Sequence, residues 1–99
     1  MYGDRVEFRN LDELRQYVHH RICLANELEV NVFQVTERMM HRAGRPCGIF
    51  FCLHGPRSVR LTAIWETESN TLLFYGSTGE RVDKIKLTDS PELVSGAAV

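Results

Sequence analysis

Three histidine and cysteine side chains in the first quarter of the chain have the spacing of metal ligands. Cys23 follows His19 by four residues and His20 by three, so on a helix the three side chains would occupy neighbouring turns. A tetrahedral zinc site needs further ligands, and the remaining cysteines and histidines form no C-x-x-C or H-x-x-x-H pair. The spacing therefore predicts no metal site and no cofactor, and it leaves open whether His19, His20 and Cys23 bind metal.

Cys52 and His54 are the pair that could act as a nucleophile and its base. Two residues apart on a strand, they would share a face but stand about 6 to 7 Å from one another, too far for a direct hydrogen bond. Cys52 is also predicted to pack among apolar side chains, where a thiol is unreactive. Glu66 and Glu68 flank a predicted hairpin turn, where carboxylates are normally solvated. These patterns predict a protein that is not an enzyme.

Three arginines could bind an anion. Arg38, Arg42 and Arg45 would form a basic line along the exposed side and the end of a predicted second helix, and such a line can hold phosphates. The whole chain, however, has a net charge of -1 and a pI near 6.4, which does not suit a polyanion partner. An anion-binding or nucleic-acid-binding accessory role is therefore the alternative function, and nucleic acid is not the expected partner.

Composition indicates a small cytoplasmic protein. The chain has 99 residues, of which 43% are hydrophobic and 25% charged, so we expect one domain with one core. No apolar run approaches the roughly 20 residues of a membrane span, and the first ten residues lack the apolar stretch of a secretory signal. Three cysteines are too few for a disulfide framework and agree with a reducing compartment.

Two helices are predicted ahead of the sheet. The first spans residues 10 to 28, because Asn10 and Glu13 have the spacing of an N-terminal capping pair and apolar residues recur at three- and four-residue intervals. The second spans Val32 to Ala43, with Asn31 as its N-cap and Gly44 in the left-handed position after its end. The alternation of Val30, Asn31 and Val32 would also fit a short strand, so the sequence defines the start of the second helix less well than its end.

The sequence from 47 to 87 predicts four strands. Short turn sequences divide an apolar and β-branched run into segments at 47–54, 58–66, 71–77 and 81–87, and each connection is short enough for a hairpin. The predicted fold is α+β, with two N-terminal helices followed by a four-stranded antiparallel β-meander. It forms a single domain over residues 1–87, followed by a flexible C-terminal tail at 88–99.

The predicted turns define the face of the sheet on which each strand residue lies. Closing the first hairpin around Gly55 to Ser58 places His54 opposite Val59, and Phe50 opposite Ala63. One face then forms the core with the helices. The residues predicted to be buried together are Phe50, Leu61, Trp65, Phe74, Leu14, Val18 and Met39.

The second predicted face is too apolar for an open surface. It carries Ile49, Phe51, Leu53, Ile64, Leu73 and Tyr75, with polar residues only at its margins. Because two helices cannot cover both faces, we expect a second copy of the chain to pack on it. The alternative is that a helix or the N-terminal segment covers this face within one chain.

The sequence therefore predicts a small cytoplasmic, non-enzymatic protein-interaction module that forms a homodimer, with any other protein partner unknown. The residues predicted for the interface are Ile49, Phe51, Arg60, Ile64, Leu73 and Tyr75.

Overall fold

One helix and one five-stranded antiparallel sheet make up the fold in the computed structural model, which describes residues 8–88. The elements are α1 (Leu11–Ala25), β1 (Gln34–Arg42), β2 (Arg45–His54), β3 (Arg60–Glu66), β4 (Thr71–Tyr75) and β5 (Arg81–Lys86), with one short 3-10 helix (Pro56–Ser58) between β2 and β3. Each strand pairs with the next one along the chain, in the order β1-β2-β3-β4-β5. The α+β class and the antiparallel meander are confirmed, whereas the prediction of two helices and four strands is wrong. Residues 89–99 of the predicted tail lie outside the described residues.

Helix α1 begins and ends with local capping. The Asn10 side chain accepts a hydrogen bond from the backbone N–H of Glu13 at 3.0 Å, as the sequence predicts, and the Glu13 side chain accepts one from the N–H of Arg9. The helix ends at Ala25, three residues before the predicted end. There Glu27 takes a left-handed conformation, and the N–H of Leu28 bonds back to the carbonyl of Cys23 at 2.8 Å. These bonds satisfy the last carbonyls of the helix, so the chain turns at this point.

The predicted second helix is wrong, because β1 occupies its place. Asn31, predicted as the N-cap, instead has a φ of 69° in the turn before the strand. From Gln34 onwards the backbone pairs with β2 over its whole length. Apolar residues at 33, 35, 39 and 40 are compatible with both periodicities, and Met39, predicted in the core, is 42% exposed. The hydrogen-bonded ladder with β2 outweighs the weak helical preference of this segment.

A two-residue turn at Ala43 and Gly44 joins β1 to β2. Both residues have positive φ, 53° and 78°, and the flanking Arg42 and Arg45 are paired across the strands. This is the turn geometry that matches the twist of a β-hairpin. The left-handed conformation predicted for Gly44 is therefore present, but it closes a hairpin instead of ending a helix.

The connection between β2 and β3 changes the predicted faces. Arg57 and Ser58 both adopt positive φ, and the loop closes with a hydrogen bond from the N–H of Gly55 to the carbonyl of Val59 at 2.8 Å. His54 consequently pairs with Arg60 and not with the predicted Val59. A shift of one residue turns every side chain of β2 to the opposite face of the sheet.

The core lies between α1 and one face of the sheet, which we call the covered face. Fully or almost fully buried side chains of β2, β3 and β4 meet the buried side of α1 there. They are Ile49, Phe51, Leu53, Leu61, Ala63, Trp65, Leu72 and Phe74 from the sheet, and Leu14, Val18, Ile22 and Cys23 from the helix. Burial of Leu14, Val18, Leu61, Trp65 and Phe74 is as predicted. Phe50 is not in this core, because β2 has the other parity.

Two ion pairs join α1 to the two edge strands on the covered face. Arg15 donates to the carboxylate of Glu37 on β1 at 2.7 Å. Arg21 pairs with Asp83 on β5, and its guanidinium lies over the rings of Tyr17 and Phe74 at 5.9 and 5.7 Å. The helix is thus attached to both margins of the sheet as well as to its centre.

Candidate interaction surface

The second face of the sheet, which we call the open face, has an apolar centre. In residues 8–88 the only α-helix packs on the covered face, so it does not lie over this side. The strand register places five large or apolar side chains next to one another here, from Phe50, Cys52, Ile64, Leu73 and Tyr75. Cys52 and Leu73 are each 8% exposed, and the other three are half-buried. Neighbouring side chains therefore shield the centre in part, but its outer surface faces solvent in the described part of the chain.

Four of the six residues predicted for the interface lie on this face. Ile64, Leu73 and Tyr75 belong to its centre, and Arg60 lies at its margin at the start of β3. Ile49 and Phe51 lie instead on the covered face, where they are 3% and 1% exposed. The predicted face of β2 is therefore wrong, and Phe50 and Cys52 take the places of Ile49 and Phe51.

One signal in the sequence could have placed β2 correctly. The set Ile49, Phe51 and Leu53 is apolar throughout, whereas the alternate set ends in His54. A fully buried face favours the uniformly apolar set. The positive φ of Arg57 and Ser58, which sets the register, has no such signal, because neither residue type favours the left-handed region.

The margins of the open face on β3 carry opposite charges. Arg60 lies at one end of this central strand and Glu66 at the other, and both point to the open side. Among residues 8–88, Arg60 forms no ion pair. Glu66 accepts one hydrogen bond, from the hydroxyl of Ser69 at 3.1 Å. Each end of β3 thus keeps a charge for which the described residues supply no opposite charge.

A hollow of about 200 Å³ adjoins Glu66, and we call it the acidic hollow. It is lined by Met40, Arg42, Cys47, Glu66, Glu68 and Ser69. Gly48 lies between Met40 and Glu66 in the paired strands and puts no side chain into this row. A Cβ atom on Gly48 would stand 2.1 Å from the carbonyl oxygen of Trp65, so no larger residue fits there. Because Arg42 pairs with Glu68 at 3.1 Å, Glu66 is the carboxylate left without a cation.

The two edges of the sheet are poorly suited to accept another strand. Edge strand β5 contains a bulge at Val82, where its register with β4 shifts between Phe74 and Tyr75. The register of β1 with β2 also shifts, at Cys47 of β2. Each edge strand also carries an inward-pointing acid, Glu37 or Asp83, held by α1. Bulges and inward charges are devices that hinder edge-to-edge pairing. The structure thus favours the open face over the edges as a place for contact.

The histidines and cysteine of α1 do not assemble a metal site in the described part of the chain. No group of three or more His, Cys, Asp or Glu side chains converges among residues 8–88. Cys23 is fully buried, and burial raises the pKa of its thiol, which keeps it protonated at neutral pH. The Nε2 atom of His19 is buried without a hydrogen-bond partner among the described residues. Cys23 therefore acts as core packing.

Cys52 and His54 share the open face, as expected for residues two positions apart on one strand. His54 Nε2 lies 3.0 Å from the hydroxyl of Thr36 on the neighbouring strand, so that hydroxyl engages the imidazole. Cys52 lies among the apolar residues at the centre. Cys52 thus packs in the apolar centre of the open face, while His54 lies at its margin and contacts Thr36.

The three arginines of the predicted anion site do not form a helix face, because the second helix is absent. Arg38 lies in the middle of β1, on the open face, while Arg42 and Arg45 flank the hairpin turn at the end of that strand. Arg42 is already paired with Glu68. Arg38 stands four residues from Arg42, about 13 Å along an extended strand, so the three side chains have no common centre.

A groove of about 480 Å³ runs along the outer side of α1, and the described residues do not indicate what would occupy it. Phe8, Tyr17 and Leu24 supply its apolar lining. Its charged members Glu13 and Arg21 are engaged in the helix cap and in the ion pair with Asp83. The charges of Glu13 and Arg21 are thus already engaged within the chain, and they do not indicate a ligand for this groove.

Comparisons with models of protein families, with curated proteins and with solved structures found no match for this chain. No helix among residues 8–88 has the length and apolar character to span a bilayer.

Proposed function

We propose that this protein is a small, non-enzymatic interaction module that forms a homodimer through its open face. The observation that carries the proposal is the apolar centre of that face, formed by Phe50, Cys52, Ile64, Leu73 and Tyr75. A sheet face exposed to water normally carries polar side chains, whereas the centre of this one has Thr62 as its single polar side chain among the described residues. An apolar centre with a charged margin is the composition of a protein interface.

The size of the face supports a dimer of modest affinity. Five strands spaced about 4.8 Å apart, with about seven residues each, give a face of roughly 500 Å² per copy. Two copies would then bury about 1,000 Å² in total, at the lower limit for a specific interface. We therefore expect a dimer that forms in the micromolar range and dissociates on dilution.

Charged side chains surround the apolar centre of the open face. The central strand carries Arg60 and Glu66, neither of which forms an ion pair among residues 8–88. The edge strands add three cations to this face, Arg38 on β1 and Lys84 and Lys86 on β5. We propose a second copy as the partner because a two-fold dimer is the commonest closed assembly and needs no other protein.

The test compares two adjacent phenylalanines. Phe50→Asp places a charge in the centre of the open face and should give a folded monomer, because the covered face is unchanged. Phe51→Asp is the matched control, since the same charge one residue further along enters the core and should unfold the protein. Light scattering across a range of concentrations gives the mass, and circular dichroism gives the fold.

Two outcomes would contradict the proposal. The unmodified protein could remain at its monomer mass of 11.4 kDa at high micromolar concentration. Alternatively, Phe50→Asp could dimerise as well as the unmodified protein does.

A further inference from the structure

The charged side chains of the strands are sorted between the two faces of the sheet. Among the described strand residues, the open face carries four cations and only one acid, Glu66. The acids of the edge strands, Glu37 and Asp83, point to the covered face, where arginines of α1 hold them. The four cations are exposed and form no ion pair among residues 8–88; they are Arg38, Arg60, Lys84 and Lys86. The open face is therefore cationic, although the whole chain has a net charge of -1.

Each aromatic side chain of the open face is paired with an arginine of an edge strand. Phe50 is the register partner of Arg38 on β1, and Tyr75 is the register partner of Arg81 beside the bulge of β5. Both rings are half-buried, so part of each ring faces solvent. At about 4.8 Å between strands and 3.3 Å per residue, the Cα atoms of Phe50 and Tyr75 are roughly 12 Å apart. The face thus carries two pairs of an aromatic ring and a cation.

A single strand of nucleic acid has the two chemical groups that such pairs bind. Its bases stack on aromatic rings, its phosphates pair with cations, and both groups are accessible at once because the bases are unpaired. Thr62, which lies in the same row as Tyr75, adds a hydroxyl that can bond the edge of a base. The arrangement of the open face therefore fits this class of polyanion.

We propose that the open face binds single-stranded nucleic acid, with Phe50 and Tyr75 stacking on bases and the surrounding cations holding phosphates. Arg38 and Lys84 mark the two ends of one row that crosses all five strands, roughly 19 Å apart at about 4.8 Å per strand. Such a width accommodates several nucleotides, which is the usual site size of single-strand binders.

Other acidic partners match only part of this surface. An acidic peptide or an anionic membrane satisfies the cations, but its acidic groups do not stack on the two rings. A nucleic-acid duplex supplies more negative charge, but its bases are stacked inside the helix and do not reach the rings. Charge therefore attracts all four partners, whereas the rings select the single strand.

This function goes beyond self-association, and the two exclude each other because they use the same face. Two copies that meet open face to open face bring two sets of four cations together. Like charge thus opposes the dimer, whereas the same charge attracts a polyanion. Removing a cation should weaken nucleic-acid binding and leave dimerisation equal or stronger.

The probe for the test is a fluorescein-labelled oligothymidylate of about 12 nucleotides, within the site sizes of single-strand binders. Fluorescence anisotropy measures its dissociation constant from about 0.05 M salt upwards, where phosphate contacts contribute most. With four cations engaged, the logarithm of the binding constant should fall against the logarithm of salt with a slope of about -3. Sedimentation velocity of the same samples should show dimers dissociating as the oligonucleotide saturates the protein.

Arg38→Gln and Lys84→Gln each remove one cation from the open face. Each should weaken binding about fivefold at low salt and reduce the steepness of the salt dependence by about 0.7, the contribution of one phosphate contact. Arg9→Gln is the matched control, because it removes the same charge at an exposed position just before α1, on the other side of the sheet. It should change neither quantity.

Phe50→Leu tests stacking separately from charge. It removes the aromatic ring but keeps an apolar side chain, and we expect binding about tenfold weaker. Phe50→Trp keeps a ring and should bind as well as the unmodified protein. Circular dichroism checks that each variant is folded.

Competition experiments distinguish the single strand from other polyanions. An unlabelled oligothymidylate should displace the probe, whereas a duplex of the same length, polyglutamate and phosphatidylserine vesicles at equal charge concentration should compete at least tenfold less well. If any of these three competes equally, the face recognises negative charge alone and the inference is wrong. Unchanged binding by Phe50→Leu, or by both Arg38→Gln and Lys84→Gln, would also overturn it.

The outcomes separate this inference from the proposed function. A protein that dimerises but does not bind the oligonucleotide at low salt overturns the nucleic-acid site and leaves the dimer standing. A protein that binds the oligonucleotide but stays monomeric at every concentration supports the nucleic-acid site and overturns the dimer.

Discussion

Trp65 is the largest fully buried side chain among the described residues. It is fully buried under α1, and its indole N–H lies 3.4 Å from the side-chain oxygen of Asn70. Asn70 in turn bonds the carbonyl of Leu87, which joins the β3–β4 turn to the end of β5. One large residue thus connects the core to a network of turn hydrogen bonds.

We expect Trp65→Ala to lower the free energy of unfolding by about 3 to 5 kcal/mol, because it leaves a cavity under the helix. Phe50→Ala is the control, since Phe50 is half-buried on the open face and should cost less than half as much when measured below the concentration of dimer formation. Urea unfolding gives both values. Equal losses for the two variants would show that the faces of the sheet are assigned wrongly.

At the scale of elements, the β1–β2 hairpin forms although one turn residue is unfavourable. Ala43 occupies the first left-handed position of the turn, where L-residues with a Cβ are strained and Asn is preferred. Gly44 occupies the second, and a Cβ built there would meet no atom within 4 Å. Any cost of substituting Gly44 therefore comes from the backbone conformation and not from a clash.

Ala43→Asn should stabilise the protein by about 0.5 to 1 kcal/mol, whereas Gly44→Ala should destabilise it by about 1 kcal/mol. The opposite signs follow from the same backbone geometry at two adjacent exposed positions. Thermal and urea unfolding measure both changes. If Ala43→Asn destabilised the protein, the segment from 32 to 43 would not end in this turn.

At the scale of the whole molecule, a dimer makes stability depend on concentration. Association stabilises the folded state by mass action once the protein concentration exceeds the dissociation constant. The open face is the surface that we propose to be buried by this step.

Raising the protein from about 1 to about 100 µM should therefore raise the Tm by roughly 4 °C or more, given that 1 kcal/mol shifts the Tm of a domain of this size by about 4 to 8 °C. Phe50→Asp serves as the control, because a monomer has a Tm that does not change with concentration. Scanning calorimetry at both concentrations makes the comparison. A constant Tm for the unmodified protein would argue against dimer formation over this range.

The sequence alone determined the features that depend on neighbours along the chain. The cap of α1 at Asn10 and Glu13, the antiparallel meander and the core faces of β3 and β4 follow from residue types and their spacing. Each of these features is stabilised by groups only a few residues apart, or by a plain alternation between apolar and polar residues.

Two features were decided only by the tertiary structure. The segment from 32 to 43 is compatible with a helix and with a strand, and the partner strand β2 decides between them by supplying the ladder of hydrogen bonds. The face of β2 depends on Arg57 and Ser58, whose left-handed conformations lengthen the turn by one residue. Neither residue type favours that conformation, so the packing of Ile49 and Phe51 beneath α1 selects the register, because the other register would expose them to water.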